Sequence, residues 1–355
     1  MSKSGNDALL RRNPISGRVV VVAPDRQKSR EQLARKIPRD WGKIKKGFVD
    51  GSECPFCLGH EAMTPPEVKS YRDKNTGPDE SGWWVRVVSN LYPAINSSIP
   101  SDLIRAEIRG PFMVMPAFGY HYLIVNTPEH KDSLEEMSEA QFRELLHMWR
   151  DMILFAGSDR NIKYVFIFVN IGPLAGASQF HSHSQLVALP MIPTRIMTEL
   201  RGARQYYEES AKCFFCEEIE WELRKQERII AITDNFVAWC PFVSKTPYQI
   251  VISPRSHQGY FANISNYPLG EDALTEFAKL LQDVLFRLKK TLNMPDYNLY
   301  FHTTPTNQME MPFFHWHCQI DPITEAIVAG FEKGSGVYMN PRSPENAAED
   351  LRNAL

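Results

Sequence analysis

The chain has 355 residues, and its 40 basic and 42 acidic side chains leave a formal net charge of −2 at pH 7. This balance leaves no excess of positive charge that would attract nucleic acid or an anionic membrane surface, so we expect neither as a partner. No apolar run approaches the roughly 20 residues that cross a bilayer, and the polar N-terminus lacks a signal core, which predicts a cytoplasmic protein.

The first half of the sequence predicts several strands and one long helix. Phe142, Leu145, Trp149 and Met152 recur at helical spacing and predict a helix over residues 138–155. The polar stretch 70–83, which contains Pro and Gly, is predicted to be a loop. Short apolar runs predict strands at 18–23, 84–88, 121–125, 164–169 and 186–189.

The second half repeats the order of the first, which indicates a duplicated unit. Each half runs from a C-x-x-C pair through a strand that ends near a histidine, and then through a helix to an H-x-H-x-Q sequence. Strands are predicted here at 228–232, 236–239, 248–253 and 297–301, with a helix over 273–292. We therefore predict an α+β fold with mostly antiparallel sheets, divided into domains of residues 1–195 and 196–355.

Four of the six cysteines form the two C-x-x-C pairs, and in a reducing compartment this spacing favours a metal site over a disulfide. A pair with two later histidines is a Cys₂His₂ set, the usual ligand set of tetrahedral zinc. The predicted sets are Cys54, Cys57, His130 and His181 in the first half, and Cys213, Cys216, His257 and His315 in the second.

The second metal has an alternative set of ligands. Glu199, His302 and His317 are also present, and a carboxylate with histidines suits iron or zinc. Three further histidines outside the repeated pattern are expected to be ordinary surface or packing residues: His60, His121 and His147. The three glycines within 330–336 favour a turn.

A glycine-bearing loop leads directly into the first H-x-H-x-Q sequence. Alternate residues of an extended segment share a face, so His181 and His183 are expected to lie side by side. We predict that His183 is a nucleophile towards a nucleotide phosphorus, which requires a neutral imidazole with its other nitrogen held. The alternative is a packing histidine beside a zinc site.

Phosphoryl chemistry also needs donors to the non-bridging oxygens. Ser178, the backbone of 176–178 and the Gln185 amide are the expected donors, and Arg26 and Lys28 are expected to neutralise phosphate charge. Gln185 is an amide, so it neither protonates a leaving group nor activates water well. A covalent nucleotidyl-His183 would then persist until a phosphate acceptor arrives, which favours transfer over hydrolysis.

The chain resembles the galactose-1-phosphate uridylyltransferase family of the histidine-triad superfamily. The resemblance rests on the sequence N-x-G-x-x-x-G-x-S-x-x-H-x-H-x-Q from Asn170 to Gln185, the C-x-x-C pair, the P-x-H at His130 and the duplicated second half. The resemblance implies two tandem histidine-triad-like domains, the first of them catalytic, and a homodimer. It implies a ping-pong reaction in which UDP-glucose uridylylates His183, glucose 1-phosphate leaves, and galactose 1-phosphate takes the uridylyl group.

The resemblance also assigns residues that contact substrate. The nucleotide contacts that it implies are Arg26, Asn90, Asn170, Gly176, Ala177, Ser178 and Gln185, while Gly330, Phe331 and Glu332 would face the nucleotide sugar. The H-S-H-S-Q form and the second C-x-x-C look more like the ADP-glucose phosphorylase branch of the family. Three hypotheses follow: a UDP-sugar hexose-1-phosphate uridylyltransferase, an adenylyltransferase acting on ADP-glucose with phosphate as acceptor, and a zinc-stabilised nucleotide-binding protein without catalysis.

Overall fold

A computed structural model describes residues 8–24, 51–131, 133–266, 268–308, 310–324 and 329–355. Arg26 and Lys28 lie outside these residues. The described strands are β1 Leu9–Arg12, β2 Val19–Val22, β3 Glu67–Arg72, β4 Trp83–Ser89, β5 Glu107–Arg109, β6 Phe112–Val114, β7 Tyr120–Val125, β8 Tyr164–Ile171, β9 His183–Leu189, β10 Ile229–Ile232, β11 Phe236–Trp239, β12 Ile250–Pro254, β13 Tyr297–His302, β14 His317–Pro322 and β15 Tyr338–Asn340. The described α-helices are α1 Glu139–Gly157, α2 Thr194–Ser210, α3 Phe214–Lys225, α4 Ala273–Leu292, α5 Gly330–Ser335 and α6 Pro344–Arg352.

Ten strands form one antiparallel sheet in the order β10-β11-β12-β14-β13-β8-β9-β7-β4-β3. Five strands of this sheet come from the first half of the chain and five from the second, and the two sets appear in mirror order. The halves meet where β8 pairs with β13. At this junction Asn170 lies opposite Asn298. The predicted α+β fold with duplicated, mostly antiparallel units is confirmed.

Helices α1 and α4 occupy equivalent places before β8 and β13, and their apolar faces pack into one core shared by both halves. Ser138 caps α1, because its hydroxyl oxygen accepts a hydrogen bond from the Gln141 backbone N–H at 3.2 Å. Trp149 and Phe301 are fully buried where α1 meets the second half of the sheet, with ring centroids 5.7 Å apart. Among the described helices, none is long and apolar enough to cross a membrane.

Two predicted loops are regular structure instead. Strand β3 runs to Arg72 inside the predicted 70–83 loop, and Glu67 within it forms ion pairs with Arg72 and Arg86. This edge strand is half-buried throughout, so it lacks the apolar alternation by which strands are predicted. The predicted turn at 330–336 is helix α5, which ends at left-handed Gly336 (φ 71°).

The N-terminal segment packs on the second half of the chain. Strand β2 pairs with β1 and, in parallel, with β15. Arg11 makes a bidentate ion pair with Glu345 of α6, at 3.0 and 3.1 Å. The backbone of Ile15 lies directly against Gly202 of α2, where an added Cβ would be 1.8 Å from the Ile15 carbonyl oxygen. Only a glycine permits this approach.

Gly202→Ala is expected to lower the free energy of unfolding by about 1–3 kcal/mol, because the new methyl group must displace the Ile15 backbone. Alanine favours a helix over glycine, so propensity alone predicts the opposite sign. Urea denaturation of both proteins measures the difference. The control is Gly334→Ala in α5, which has open space around the new Cβ and is expected to be neutral; an unchanged or raised stability for Gly202→Ala would contradict the packing.

Candidate active site

His183 is the first residue of β9 and is held by the backbone just before its strand. Its Nδ1–H donates to the carbonyl of His181 at 3.0 Å, which leaves Nε2 as the unprotonated nitrogen. Within the described chain Nε2 has no hydrogen-bond partner. Burial lowers the pKa of His183, and Phe56 of the first C-x-x-C packs beside the ring with centroids 5.4 Å apart. The imidazole is therefore neutral, fixed in tautomer and free at one nitrogen.

The two serines of H-S-H-S-Q anchor the strand from its other face. Asn126 donates to the Ser182 hydroxyl at 3.0 Å and accepts from the Ser184 hydroxyl at 2.7 Å. Trp149 of α1 donates its indole N–H to Ser184 at 2.9 Å. All of these groups are buried. The serines thus fix the backbone that carries the two histidines.

His183 lies where two pockets meet. One pocket is lined by Asn170, Gly172 and Ala177 of the glycine-bearing loop and by residues of α4. The other is lined by Ser178 and Gln185, together with Asn90 and the apolar side chains Phe56, Met63, Val88 and Leu91. The structure therefore brings the predicted loop donors, the predicted nucleophile and Gln185 to one place.

His121, which we predicted to be an ordinary surface or packing residue, positions two site residues, so that prediction is wrong. Its Nδ1 accepts the Ala94 backbone N–H at 3.3 Å, so its Nε2–H donates to Gln185 Oε1 at 3.0 Å. The Asn90 backbone N–H donates to the His121 carbonyl at 2.9 Å. The Gln185 NH₂ is left free to face the pocket. Strand alternation is the signal that could have identified His121. It puts His121 on the face of β7 that also carries the residues paired with Gln185 and His183 of β9.

Two residues of the second half, Asp296 and Asn298, shape the glycine-bearing loop. Asn298 donates to Asn170 Oδ1 at 2.9 Å and to the Ala175 carbonyl at 2.8 Å. Asp296 accepts the Leu174 N–H at 2.7 Å, and its carboxylate fills the space beside Gly172 (φ 82°), where a Cβ would lie 2.2 Å from it. No motif identified either residue, because each acts across the junction of the halves.

The three residues predicted to face the sugar do not line the pockets at His183. Gly330, Phe331 and Glu332 lie in α5, which contacts β15, and none of them lines either described pocket at His183. Phe331 is half exposed. A single chain therefore does not bring these residues to the nucleophile.

The first predicted metal set converges on one point. The thiol and imidazole donor atoms of Cys54, Cys57, His130 and His181 all lie within 4.8 Å of one another. His181 donates Nε2–H to the carbonyl of Thr127 at 2.7 Å, which turns its Nδ1 towards the two thiols at 3.6 Å. Burial lowers the pKa of His181 to about 4, so its imidazole is neutral. A neutral, oriented nitrogen with two thiols suits a metal ion.

The second predicted set converges in the same way. The donor atoms of Cys213, Cys216, His257 and His315 lie within 4.8 Å of one another. His257 donates Nε2–H to the Met311 carbonyl at 2.9 Å, and its Nδ1 faces Cys216 at 3.4 Å. A hydrogen bond from Cys216, and weaker ones from the two imidazoles, lower the pKa of the Cys213 thiol.

A third group of possible ligands lies nearby. Glu199, His302 and His317 are buried, with their donor atoms within 4.8 Å of one another. His302 Nδ1 and Glu199 Oε2 are 2.6 Å apart. Burial raises the pKa of Glu199, but the interactions with His302, His317 and Arg195 together outweigh it and lower that pKa to about 2. The alternative ligand set for a second metal is thus assembled, beside the Cys₂His₂ set.

The whole chain is similar to known enzymes. It is 32% identical over 345 residues to the ADP-glucose phosphorylase of Arabidopsis thaliana, covering 97% of this chain and 92% of that protein. It is 29% identical over 350 residues to the galactose-1-phosphate uridylyltransferase of Thermotoga maritima, covering 97% of each. A crystal structure of an Arabidopsis thaliana ADP-glucose phosphorylase with bound ADP-glucose superposes with a TM-score of 0.77 at 30% identity, covering 98% of this chain and 99% of that one.

Two family models match consecutive parts of the sequence. Residues 5–193 match the galactose-1-phosphate uridyl transferase N-terminal domain, and residues 199–355 match the C-terminal domain of the same family. The resemblance inferred from the motifs is thereby confirmed. The chain belongs to the galactose-1-phosphate uridyl transferase family of nucleotidyl-transferring enzymes.

Proposed function

We propose that the protein transfers a nucleotidyl group by a ping-pong reaction through a covalent nucleotidyl-His183, and that it is a UDP-glucose:hexose-1-phosphate uridylyltransferase. The free Nε2 of a neutral, buried His183 carries this proposal. Nε2 attacks the α-phosphorus, an N–P bond forms, and the P–O bond to the sugar 1-phosphate breaks with its electron pair on the leaving oxygen. The acceptor phosphate of galactose 1-phosphate then attacks phosphorus and releases His183.

The surrounding residues are proposed to bind and orient the phosphates. Ser178, the Gly176 and Ala177 backbone and the Gln185 NH₂ would donate to the non-bridging oxygens, where negative charge grows during transfer. Asn90 and Asn170 are proposed nucleotide contacts from the two pockets at His183. Arg26 and Lys28, outside the described residues, are proposed to neutralise phosphate charge.

A second candidate activity is adenylyl transfer from ADP-glucose to inorganic phosphate. The similarity to the Arabidopsis thaliana ADP-glucose phosphorylase supports it, as does the second Cys₂His₂ set, which is complete in this chain. The chemistry at His183 is the same for both activities, and only the base and the acceptor differ.

Both Cys₂His₂ sets are proposed to hold zinc, and the ion of the first set would fix the backbone at His181 rather than contact substrate. Two thiols and two imidazoles are the donor set that tetrahedral zinc prefers. For the second metal, zinc at Cys213, Cys216, His257 and His315 is favoured, and iron at Glu199, His302 and His317 is the alternative. Residues 1–195 are proposed as the catalytic domain and 196–355 as the second domain of a cytoplasmic protein.

The active form is proposed to be a homodimer. The β5–β6 hairpin exposes the cross-strand pair Ile108 and Met113 on one face and Phe112 on the other, and exposed apolar side chains grouped on one element are typical of an interface. Tyr92, beside the pocket residue Asn90, is 85% exposed. A second copy would cover these residues and could bring its own 330–332 segment to His183, which one chain alone does not do.

Incubation with UDP-glucose is expected to add one uridylyl group per chain, detected by intact mass, because Gln185 leaves the adduct without efficient hydrolysis. His183→Ala should form no adduct. His147→Ala, a histidine outside the site, is the control and should form it normally. An adduct from ADP-glucose but not from UDP-glucose would establish the second candidate, and adducts from neither would support a nucleotide-binding protein without catalysis.

Elemental analysis of the purified protein is expected to find roughly two metal ions per chain, both of them zinc. Cys54→Ser with Cys57→Ser should remove one ion, and Cys213→Ser with Cys216→Ser the other. Cys240→Ala, which changes a buried thiol outside both sets, should retain both ions. If Glu199→Gln removes the second ion and the Cys213 and Cys216 changes do not, the alternative ligand set holds it.

Light scattering is expected to give twice the chain mass of 40.8 kDa. Phe112→Lys with Met113→Lys should yield monomers, because two charges would have to be desolvated in the interface. Trp221→Lys, a half-exposed aromatic residue on α3, is the matched control and should leave the mass unchanged. A monomeric wild-type protein that forms the adduct at full rate would contradict the dimer.

A further inference from the structure

Asn170 presents a free amide NH₂ group to the pocket that it shares with His183. Its side chain is half-buried and lines this pocket. Its Oδ1 accepts a hydrogen bond from Asn298 at 2.9 Å, and within the described chain its Nδ2 has no hydrogen-bond partner. The same Nδ2 would lie 3.7 Å from a Cβ placed on Gly176, so the NH₂ group is next to the glycine-bearing loop. It is therefore a donor that a ligand in this pocket can use.

The backbone donors of the loop are already engaged within the loop itself. The Gly176 N–H donates to the Pro173 carbonyl at 3.2 Å. The Ala177 N–H donates to the Gly172 carbonyl at 3.1 Å. These groups can reach a phosphate only after the loop gives up those bonds, whereas the Asn170 NH₂ needs no such change. An amide has a donor end and an acceptor end, so the orientation of Asn170 decides what it offers to a ligand.

A chain of hydrogen bonds from the second half of the protein fixes that orientation. The Ala175 carbonyl lies 2.8 Å from the Asn298 amide, and because a carbonyl oxygen can only accept, the atom of Asn298 that faces it is the nitrogen. The same nitrogen donates to Asn170, so the atom of Asn170 that faces Asn298 is the oxygen. The NH₂ group of Asn170 is thereby turned away from Asn298. One backbone carbonyl thus determines the orientation of two side-chain amides.

Strand pairing puts these amides on the face of the sheet that carries the site. Asn170 and Asn298 are paired residues of β8 and β13, so their side chains share a face. Asn170 follows Phe168 by two residues, and Phe168 is paired with Gln185, so Gln185 is on this face as well. The Gln185 Oε1 accepts from His121, which leaves its NH₂ towards the pocket. In both amides the oxygen is bound by the protein and the nitrogen is left for a ligand.

We propose that Asn298 is a positioning residue for nucleotidyl transfer, which orients Asn170 so that its NH₂ group donates to a non-bridging oxygen of the α-phosphate. The inference rests on the proposed function, in which His183 attacks this phosphorus. Negative charge grows on the non-bridging oxygens during transfer, and a donor that is already oriented needs no reorganisation to stabilise it. Asn170 turned the other way would place an oxygen against the phosphate and repel it. The second half of the chain thus contributes to transfer through a side chain that does not contact substrate.

The rate of adduct formation from UDP-glucose in the metal-loaded full chain tests this role. Asn170→Ala removes the donor and should slow the adduct at least about tenfold, the loss of one hydrogen bond to a charged group. Asn298→Leu, which is similar in size and has no donor, should slow it by a similar factor. The double variant should be within about twofold of Asn170→Ala, because Asn298 acts through that amide. Asn266→Leu, at an exposed asparagine of the same half, is the control and should react as wild type does.

Sulfur substitution in the substrate separates positioning from a loss of structure. Sulfur accepts hydrogen bonds weakly, so the α-thio diastereomer of UDP-glucose whose sulfur faces Asn170 should react more slowly than UDP-glucose in the wild type. This difference should shrink in both Asn170→Ala and Asn298→Leu. A merely structural role for Asn298 would instead slow UDP-glucose and both α-thio diastereomers equally, which would overturn the proposal. If Asn298→Leu does not fold, Asn298→Ser, which is smaller and polar, takes its place.

Two further results would overturn the role of Asn298. One is an unchanged rate in Asn298→Leu, and the other is a double variant about a hundredfold slower than wild type, since the two effects would then be independent. Isothermal titration with UDP and ADP, which needs no transfer, separates this inference from the proposed function. Binding weakened by both Asn170→Ala and Asn298→Leu, in a wild type that forms no adduct, would reject transfer but retain the orientation of Asn170 towards phosphate.

Discussion

The site depends on one short hydrogen-bonded connection at the start of β9, between His181 and His183. The carbonyl of His181 accepts the Nδ1–H of His183, so the position of the proposed nucleophile is set by the backbone of a residue whose own side chain lies in a Cys₂His₂ cluster. The Thr127 carbonyl accepts the Nε2–H of the His181 imidazole. A metal at the cluster would therefore act on catalysis indirectly, by fixing a backbone carbonyl and with it one tautomer of His183. The H-x-H spacing is what permits both roles within three consecutive residues.

The duplication gives the chain two copies of one side-chain arrangement, of which only the first is proposed to be catalytic. Both halves keep the histidine pair, the aromatic ring from C-x-x-C and the glutamine, but only the first keeps the glycine-bearing loop. The second half contributes support instead, since Asp296 and Asn298 reach across the β8–β13 junction to hold that loop. Only the first copy therefore has the complete arrangement that is proposed for catalysis.

Much of this could be predicted from the sequence, because the signals are local. The helix over 273–292 and the strand at 236–239 follow from apolar periodicity, and both Cys₂His₂ sets follow from spacing and repetition. Strand β3 could not be predicted, since it is half-buried on both faces and is defined by its pairing with β4 and an ion pair from Glu67 to Arg86 there. His121 and Asn298 were missed for a similar reason: each contacts the site through a pairing register that no single segment encodes. The base preference is not encoded in any motif.

The central claim is that a phosphorus atom becomes covalently bound to His183. Tandem mass spectrometry of peptides, prepared at alkaline pH after incubation with UDP-glucose and in parallel with ADP-glucose, tests it most directly. The account predicts a nucleotidyl group on the peptide containing residues 181–185, with fragments that assign it to His183, and its release as a nucleotide sugar when galactose 1-phosphate is added. A nucleotidyl group on another residue, or turnover without any covalent intermediate, would contradict it.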